Sequence, residues 1–202
     1  MLIVTAPSSN RKLTTTSAVK LELKITGGGD DAYLSMLIDQ ASSAIEAWCD
    51  RVFAVETVRE VITRIVPAHT LVVSRWPVLS VTSVSLNGSP ADPIVAQPGE
   101  GGLLCFWKDG SRMGWWPGGR IEVEYQAGYV LPGQPGRTLP ADIERAALTL
   151  IKAHWFSRNR DPLIRSETVD DAGSTDYFPG TVSQLPPEVE SLLAPYRNLS
   201  IG

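Results

Sequence analysis

DAYLSMLIDQASSAIEAWCDRVFAVETVREVITRIV, residues 31–66, changes its hydrophobic period halfway along. Before Phe53 the apolar residues recur every three or four positions, which predicts an amphipathic α-helix. The residues on that helical face are Leu34, Leu37, Ile38, Ala41, Ala44, Ile45 and Trp48. After Phe53 the period falls to two and β-branched residues dominate, which predicts a strand. The segment therefore predicts an α+β fold in which a long helix leads directly into a sheet.

A second helix is predicted before the long one. Residues 14–17, TTTS, offer N-cap oxygens to a short helix over residues 18–23. Three glycines at residues 27–29 then predict a turn, and Asp30 and Asp31 are suited to cap the long helix. The sequence therefore predicts an N-terminal helical hairpin, preceded by an irregular arm over residues 1–13.

Two further helices are predicted near the C-terminus. One follows Pro140, and a short one follows Pro187 and runs to about residue 197. Between them, residues 161–184 are polar and predict a long loop. The apolar side of the third helix comprises Ile143, Ala146, Ala147, Leu150, Ile151 and His154, and that of the fourth comprises Val189, Leu192 and Leu193. We expect Trp48 and Trp155 to lie in the core that these helices share.

Between the helices the sequence predicts an antiparallel β-meander. Strands are expected over residues 57–66, 70–76, 78–86, 103–107 and 120–125, with Asn-Gly at 87–88 as a hairpin turn. The predicted fold class is therefore α+β, a helical bundle with an inserted antiparallel β-sheet. The predicted domains are a helical body (1–53 and 137–160), the inserted sheet region (54–136), and an extended loop with a C-terminal helix for partner docking (161–202).

Composition and charge exclude several classes of protein. The chain of 202 residues is 43% hydrophobic and 20% charged, which is the balance of a globular protein. A formal net charge of −4 argues against a surface that grips nucleic acid, because such surfaces need clustered Lys and Arg. No signal peptide is expected, and no apolar run approaches the roughly 20 residues of a membrane span. Cys49 and Cys105 each lie in apolar sequence, so we expect two free thiols.

No group of residues predicts catalysis or metal binding. His69, in a turn, and His154, on a helix, belong to no metal-binding motif, and neither cysteine has a CxxC partner. The glycine cluster at residues 99–102 lies in strand-rich sequence, not between a strand and a helix, so phosphate binding is not expected. Glu122 and Glu124 share a strand face, which ordinary strand alternation also produces. We therefore expect no catalytic residue, no metal and no cofactor.

Tryptophan and arginine residues are candidates for contacts between subunits. Trp107, Trp115 and Trp116 flank predicted turns of the sheet. They could pack across the sheet or lie in a subunit interface, where aromatic residues are enriched. Arg158 and Arg160 follow the third helix and could either complement its dipole or contact an acidic neighbouring subunit. Both interpretations stay open for each set.

Five motifs in order resemble those of the head-to-tail connector (adaptor) proteins of tailed bacteriophages. The resemblance spans nearly the whole chain, and the order of the motifs is more specific than any one of them. The motifs are the helical segments LTT (13–15) with VKLEL (19–23) and LIDQASSAIEAWC (37–49), then RWPVLSVTSV (75–84), VEYQAGY (123–129), LPADI (139–143) with Ala146, and LLAPYR (192–197).

This resemblance implies a non-enzymatic structural protein of the virion neck, made in the cytoplasm of the bacterial host. It implies a homo-oligomeric ring, a dodecamer, between the portal protein and a downstream neck or tail-completion protein. Double-stranded DNA would pass through the ring without sequence-specific binding, and no membrane would be involved. Gene transfer agents and prophages use the same part. The family's C-terminal segment docks into the portal, which makes Leu192, Leu193, Tyr196 and Arg197 candidate docking residues.

Two alternatives to a ring connector remain at this stage: an enzyme with an unrecognised site, and another phage neck or tail-completion protein. The C-terminal segment also carries an expectation about folding. Because a helix as short as the last one is marginal alone in water, its apolar side needs a surface. If that surface belongs to the portal, deletion of residues 185–202 should leave the folded body intact.

Overall fold

The computed structural model describes residues 1–108, 112–158, 166–169, 173–176 and 185–198. Its α-helices are α1 Thr16–Leu23, α2 Asp31–Cys49, α3 Ala141–Ser157 and α4 Pro187–Leu193. Its strands are β1 Leu2–Ala6, β2 Glu56–Arg64, β3 Thr70–Val72, β4 Val78–Leu86, β5 Ser89–Ala91, β6 Ala96–Pro98, β7 Leu103–Lys108, β8 Arg112–Met113, β9 Gly119–Ala127, β10 Ser166–Val169 and β11 Gly173–Asp176. The fold class is α+β with antiparallel sheets, as the sequence predicted.

The chain divides into two compact units. The sheet unit comprises Met1–Arg11, Val52–Val130 and Pro135–Thr138, and the helical unit comprises Lys12–Arg51, Leu131–Gln134 and Leu139–Gly202.

The centre of the sheet unit is strand β9. It lies between β2 and β4 in a five-stranded antiparallel sheet of order β1-β2-β9-β4-β5. Ile121, Val123 and Tyr125 alternate along β9 and are all fully buried, so this strand supplies the middle of the apolar layer. The predicted meander order was therefore wrong, because the last strand of the region is inserted between two earlier ones.

A second sheet completes the core of this unit. It has the order β3-β7-β6, with β8 paired to β7. Leu71 and Leu104 are fully buried in the same apolar cluster as the inward residues of β9. Trp116 is also fully buried there, and its indole N–H donates to the Leu104 carbonyl oxygen at 2.8 Å. Its polar atom is thus satisfied inside the core.

The N-terminal residues belong to the sheet, which corrects the predicted irregular arm. Strand β1 pairs antiparallel with β2, with Leu2 opposite Glu60 and Val4 opposite Val58. The arm prediction failed because five residues carry too little periodicity to mark a strand, and the pairing partner lies more than fifty positions away in the sequence.

Glycine is required at one position of the VEYQAGY motif. Gly128 has φ +124°, and a Cβ there would overlap the backbone of Ala54 and Val55. Its own N–H donates to the Pro77 carbonyl oxygen at 2.9 Å. A larger residue would therefore force β9 away from the segment that leads into β2.

In the helical unit, the helices follow the predicted periodicity closely. The Thr15 side chain caps α1 by accepting from the Ala18 N–H at 3.2 Å. Leu34, Leu37, Ile38, Ala41 and Ile45 of α2 are buried, as are Ile143, Ala146, Ala147, Leu150 and Ile151 of α3. These stripes form the core of the unit together with α4.

Four predictions for the helical unit need correction. Asp30 precedes α2 but its side chain makes no capping hydrogen bond. Trp48 and Trp155 are half-buried rather than in the core, because both lie near the ends of their helices. His154 is exposed. Of the predicted loop 161–184, the described residues form the antiparallel pair β10 and β11, and the rest lies outside the described residues.

Candidate partner interfaces

The C-terminal segment of the described chain packs on its own helical unit. Val189 and Leu193 of α4 are fully buried, whereas Leu192 is half-buried. After α4 the backbone N–H of Asn198 donates to the Cys49 carbonyl oxygen at 2.8 Å, at the C-terminal end of α2. The segment is therefore held on the helical unit by the buried side chains of α4 and by the hydrogen bond of Asn198.

A cation and an aromatic ring meet on the surface of this segment. The guanidinium of Arg197 lies 5.1 Å from the centroid of the Trp48 ring, within the range of a cation–π contact. Both residues line a surface pocket together with Pro187, Glu190, Ser191 and Ala194. The pocket therefore combines an exposed positive charge, the Glu190 carboxylate and an aromatic side chain.

The four predicted docking residues have different environments. Arg197 is exposed, and Leu192 and Tyr196 are half-buried. The Tyr196 hydroxyl is 3.5 Å from an Asp142 carboxylate oxygen, a long hydrogen bond. Leu193 is fully buried, so a contact with a partner through this side chain would require α4 to leave its own unit.

In the sheet unit, an exposed apolar surface surrounds Trp115. This side chain is 57% exposed, and its ring centroid lies 3.6 Å from that of His69. The His69 ring Nδ1 is 2.8 Å from the Gly114 carbonyl oxygen, which orients the imidazole. The neighbouring backbone segment also carries Ile65 and Val66, both largely exposed. Exposed apolar side chains in such a group are typical of a protein contact surface.

The remaining candidates for subunit contacts differ in how far their side chains are exposed. Trp107 is half-buried in β7, whereas Trp116 lies in the core, which agrees with packing across the sheet for this residue. The Arg158 guanidinium lies 3.8 Å above the Trp155 ring at the end of α3 and is exposed. Arg160 lies outside the described residues.

Two features were not predicted from the sequence, one at the Arg197 pocket and one in the core of the sheet unit. Trp48 forms the floor of the Arg197 pocket, although it belongs to the helical stripe that predicts core packing. Glu60 is a buried carboxylate in β2, and its period-two position between Val58 and Ile62 was a signal that its side chain points inward.

Burial raises the pKa of two titratable groups in the described part of the chain. Burial raises the pKa of the Cys49 thiol to about 11, which makes it a poor nucleophile. Burial, together with the hydrogen bond to Glu60, raises the pKa of Tyr125 above its ordinary value. Among the residues that the structure describes, no cluster of three or more potential metal ligands occurs. Nor does any helix in this part of the chain have the length and apolar character needed to cross a membrane.

Known structures share this fold at low sequence identity. A chain from the "Neck of empty GTA particle computed with C6 symmetry" matches with a TM-score of 0.58 and 18% identity. Chains from the "Virion of native gene transfer agent (GTA) particle" and the "Neck of native GTA particle computed with C12 symmetry" match with TM-scores of 0.56 and identities of 18% and 17%. Each match covers 100% of this chain and 97% of the other.

Among curated protein sequences, none matches this chain. A sequence family described as "HCP: Head completion protein" does match it, over residues 12–199. That match contains the whole described helical unit and the sheet unit from β2 onwards. The chain therefore belongs to the head completion protein family, the head-to-tail adaptor family that its sequence motifs resemble.

Proposed function

We propose that this protein is the head-to-tail connector of a tailed phage or gene transfer agent, a ring below the portal that links the DNA-filled head to the tail. The observation that carries the proposal is the family match over residues 12–199. It is supported by the similarity of the fold to chains from the necks of gene transfer agent particles. In the particle, the protein lies in the neck, with an N-terminal helical hairpin as part of its bundle.

The ring is a homo-oligomer of twelve copies. The similar neck structures were computed with C6 and C12 symmetry, both of which are compatible with twelve copies around an axis. Exposed Trp115 and half-buried Trp107 of the sheet unit are available for contacts between copies, as is exposed Arg158 of the helical unit. We extend the same proposal to Arg160.

The ring binds the portal through the surface around Arg197. Leu192, Tyr196 and the Arg197–Trp48 pair lie on the accessible side of the C-terminal segment, whereas Leu193 holds α4 on its own unit. An exposed arginine on an aromatic ring is a frequent energetic centre of protein interfaces. The opposite end of the ring then meets the downstream neck or tail-completion protein.

The role in DNA passage is passive. A net charge of −4 disfavours tight binding to the phosphate backbone, which suits a conduit that DNA must leave again. The protein acts as a structural part and not as an enzyme. The raised pKa of the buried Cys49 thiol agrees with this role.

Charge reversal at the portal surface tests the proposal. Particles are produced with Arg197→Glu or, as a matched control, with Arg145→Glu, another exposed arginine of the helical unit. We expect Arg197→Glu to reduce tailed particles at least ~10-fold and to leave DNA-filled heads without tails, because an interfacial charge pair becomes a repulsive one. Arg145→Glu should preserve tail attachment.

Removal of the whole protein provides the broader test. Without it, heads should fill with DNA but remain tail-less. Normal tailed particles in its absence would contradict the connector function. In preparations that contain the protein, free tails that carry this chain would favour a tail-completion protein instead.

A further inference from the structure

The five-stranded sheet ends in one edge that is open and apolar. In the described part of the chain, β1 pairs only with β2, so its other side carries unpaired backbone groups. Its five residues, LIVTA, contain no charge and no proline, and Ile3 and Val4 are exposed by 45% and 37%. Natural proteins usually protect such an edge, because it can pair with a strand of another chain.

The other edge strands of the two larger sheets are protected. Strand β5 has three residues and contains Pro90, and β6 has three residues and ends in Pro98. Strand β3 also has only three residues, Thr70–Val72. Short strands and prolines both prevent further strand pairing. Strand β1 is thus the longest edge strand of the two larger sheets and lacks these protective features.

The direction of the backbone groups on β1 follows from its pairing. The Val61 N–H donates to the Met1 carbonyl oxygen at 2.8 Å, which makes Met1 and Val61 a hydrogen-bonded pair. In an antiparallel ladder, bonded and non-bonded pairs alternate. Leu2 and Val4, opposite Glu60 and Val58, are therefore non-bonded pairs whose N–H and C=O groups point away from β2.

The hairpin of β10 and β11 is suited to pair with an open sheet edge. These strands pair with each other from Ser166–Asp176 to Val169–Gly173 and form a two-stranded sheet of their own. An isolated two-stranded hairpin is marginally stable in water, so it gains stability by joining a larger sheet. Seven residues separate it from Arg158 and eight from Leu185, and each connection can span roughly 25 Å.

We propose that the β10–β11 hairpin of one copy adds to the β1 edge of the next copy in the ring, so that one sheet continues across the subunit boundary. This inference rests on the proposed ring. The edge lies in the sheet unit and the hairpin in the helical unit, so the contact joins two different surfaces. Such heterologous contacts close into rings, whereas pairing of β1 with another β1 would stop at a dimer.

Disulfide cross-linking in assembled particles tests the inference. In separate variants, Val4→Cys is combined with Glu167→Cys or Thr168→Cys on β10 and with Ser174→Cys or Thr175→Cys on β11. Both strands are tested because either can face β1, and two positions are used on each because adjacent strand residues point to opposite faces. Each variant also carries Cys105→Ser, since Cys105 is partly accessible. After oxidation of purified particles, one double variant should give a ladder of covalent multimers on a non-reducing gel, and Val4→Cys alone should give monomers.

A backbone variant supplies the second arm. Val4→Pro removes the outward N–H without removing a β1–β2 hydrogen bond, and Val4→Thr keeps the N–H with a β-branched side chain. Both variants lack the cysteine at position 4, so they are compared by tail attachment and not by cross-linking. We expect Val4→Pro to lose tail attachment while the isolated protein keeps its melting temperature within about 3 °C. Val4→Thr, which keeps the outward N–H, should retain tail attachment and the same melting temperature.

Each other outcome contradicts the inference and indicates a different arrangement of the chain. Dimers from Val4→Cys alone would mean β1–β1 pairing, and loss of free thiols without multimers would mean that the hairpin docks on its own copy. Tailed particles that contain the double variants but no cross-link would refute the sheet while leaving the connector function intact. Absence of the unmodified chain from tailed particles would refute the connector function itself, and the inference with it.

Discussion

Glu60 shows how a charged residue can belong to the core of this protein. Its side chain is 5% exposed, yet its carboxylate accepts from the Tyr125 hydroxyl at 2.7 Å and the Ser74 N–H at 3.0 Å. The Ser74 hydroxyl donates to it as well. Burial of a carboxylate is tolerated only when such donors replace water. The inward position of Glu60 was readable from strand alternation, but the donors were not, because Tyr125 is 65 residues away.

Leu37 tests the helical stripe at the residue scale. Its side chain is 2% exposed in α2, whereas that of the adjacent Met36 is 44% exposed. Leu37→Ala should lower the free energy of unfolding by ~2–5 kcal/mol, because it removes buried methyl groups and leaves a cavity. Met36→Ala is the control and should cost less than ~1 kcal/mol. Denaturant titration measures both, and equal effects would show that the stripe is not the core.

Burial of Cys49 makes the stability of the folded protein depend on pH. The free cysteines confirm the sequence prediction, and burial raises the pKa of the Cys49 thiol from 9.0 to about 11. Because the folded state favours the neutral thiol, its contribution to stability is complete below pH 9 and is lost as the pH rises from 9 to 11.

Labelling of thiols at pH 8 checks this assignment. Cys105, which is partly exposed, should react first, and Cys49 should react only when denaturant is added. In the Cys49→Ala variant, the fall in stability between pH 9 and 11 should be smaller than in the unmodified protein. Simultaneous labelling of both thiols in the folded state would contradict the burial of Cys49.

At the scale of elements, periodicity predicted the long structures and missed several short strands. Helices α2 and α3 and strands β2, β4 and β9 each contain at least nine residues, enough for a 3.6- or two-residue period to repeat. Strands β1, β5 and β6 have five residues or fewer, and their pairing depends on partners elsewhere in the chain. The position of β9 between β2 and β4 is likewise a long-range property.

Helix α4 changes the expected effect of a C-terminal deletion. The sequence suggested that residues 185–202 are dispensable for folding, but Val189 and Leu193 are fully buried in the helical unit and Leu185 is 9% exposed. Deletion would expose the apolar residues that they cover. We therefore expect the truncated protein to be destabilised by several kcal/mol, on the order of two large-to-small core substitutions.

Substitutions of two adjacent leucines distinguish the role of this helix in folding from its role in docking. Leu193→Ala should lower the melting temperature by several degrees, since ~2–5 kcal/mol of core packing is lost. Leu192→Ala, at a half-buried position, should cost less stability and instead weaken tail attachment. Thermal unfolding and counts of tailed particles are measured for both. An intact melting temperature in the Leu193 variant would show that α4 does not belong to the core.

At the scale of the molecule, the sequence predicted the candidate portal surface only in part. Tyr196 and Arg197 were identified from the C-terminal motif, and Arg197 is exposed as a docking residue should be. Its pairing with Trp48 joins positions 149 residues apart and could not be read from local patterns. The same holds for the Asn198–Cys49 hydrogen bond, which sets where the segment ends on the helical unit.

Electron cryomicroscopy of intact particles that contain this chain tests the connector function most directly. We expect a ring of twelve copies in the neck, between the portal and the first tail protein, into which both the sheet unit and the helical unit fit. A neck ring fully explained by a different protein, or density for this chain anywhere other than the head-to-tail junction, would contradict it.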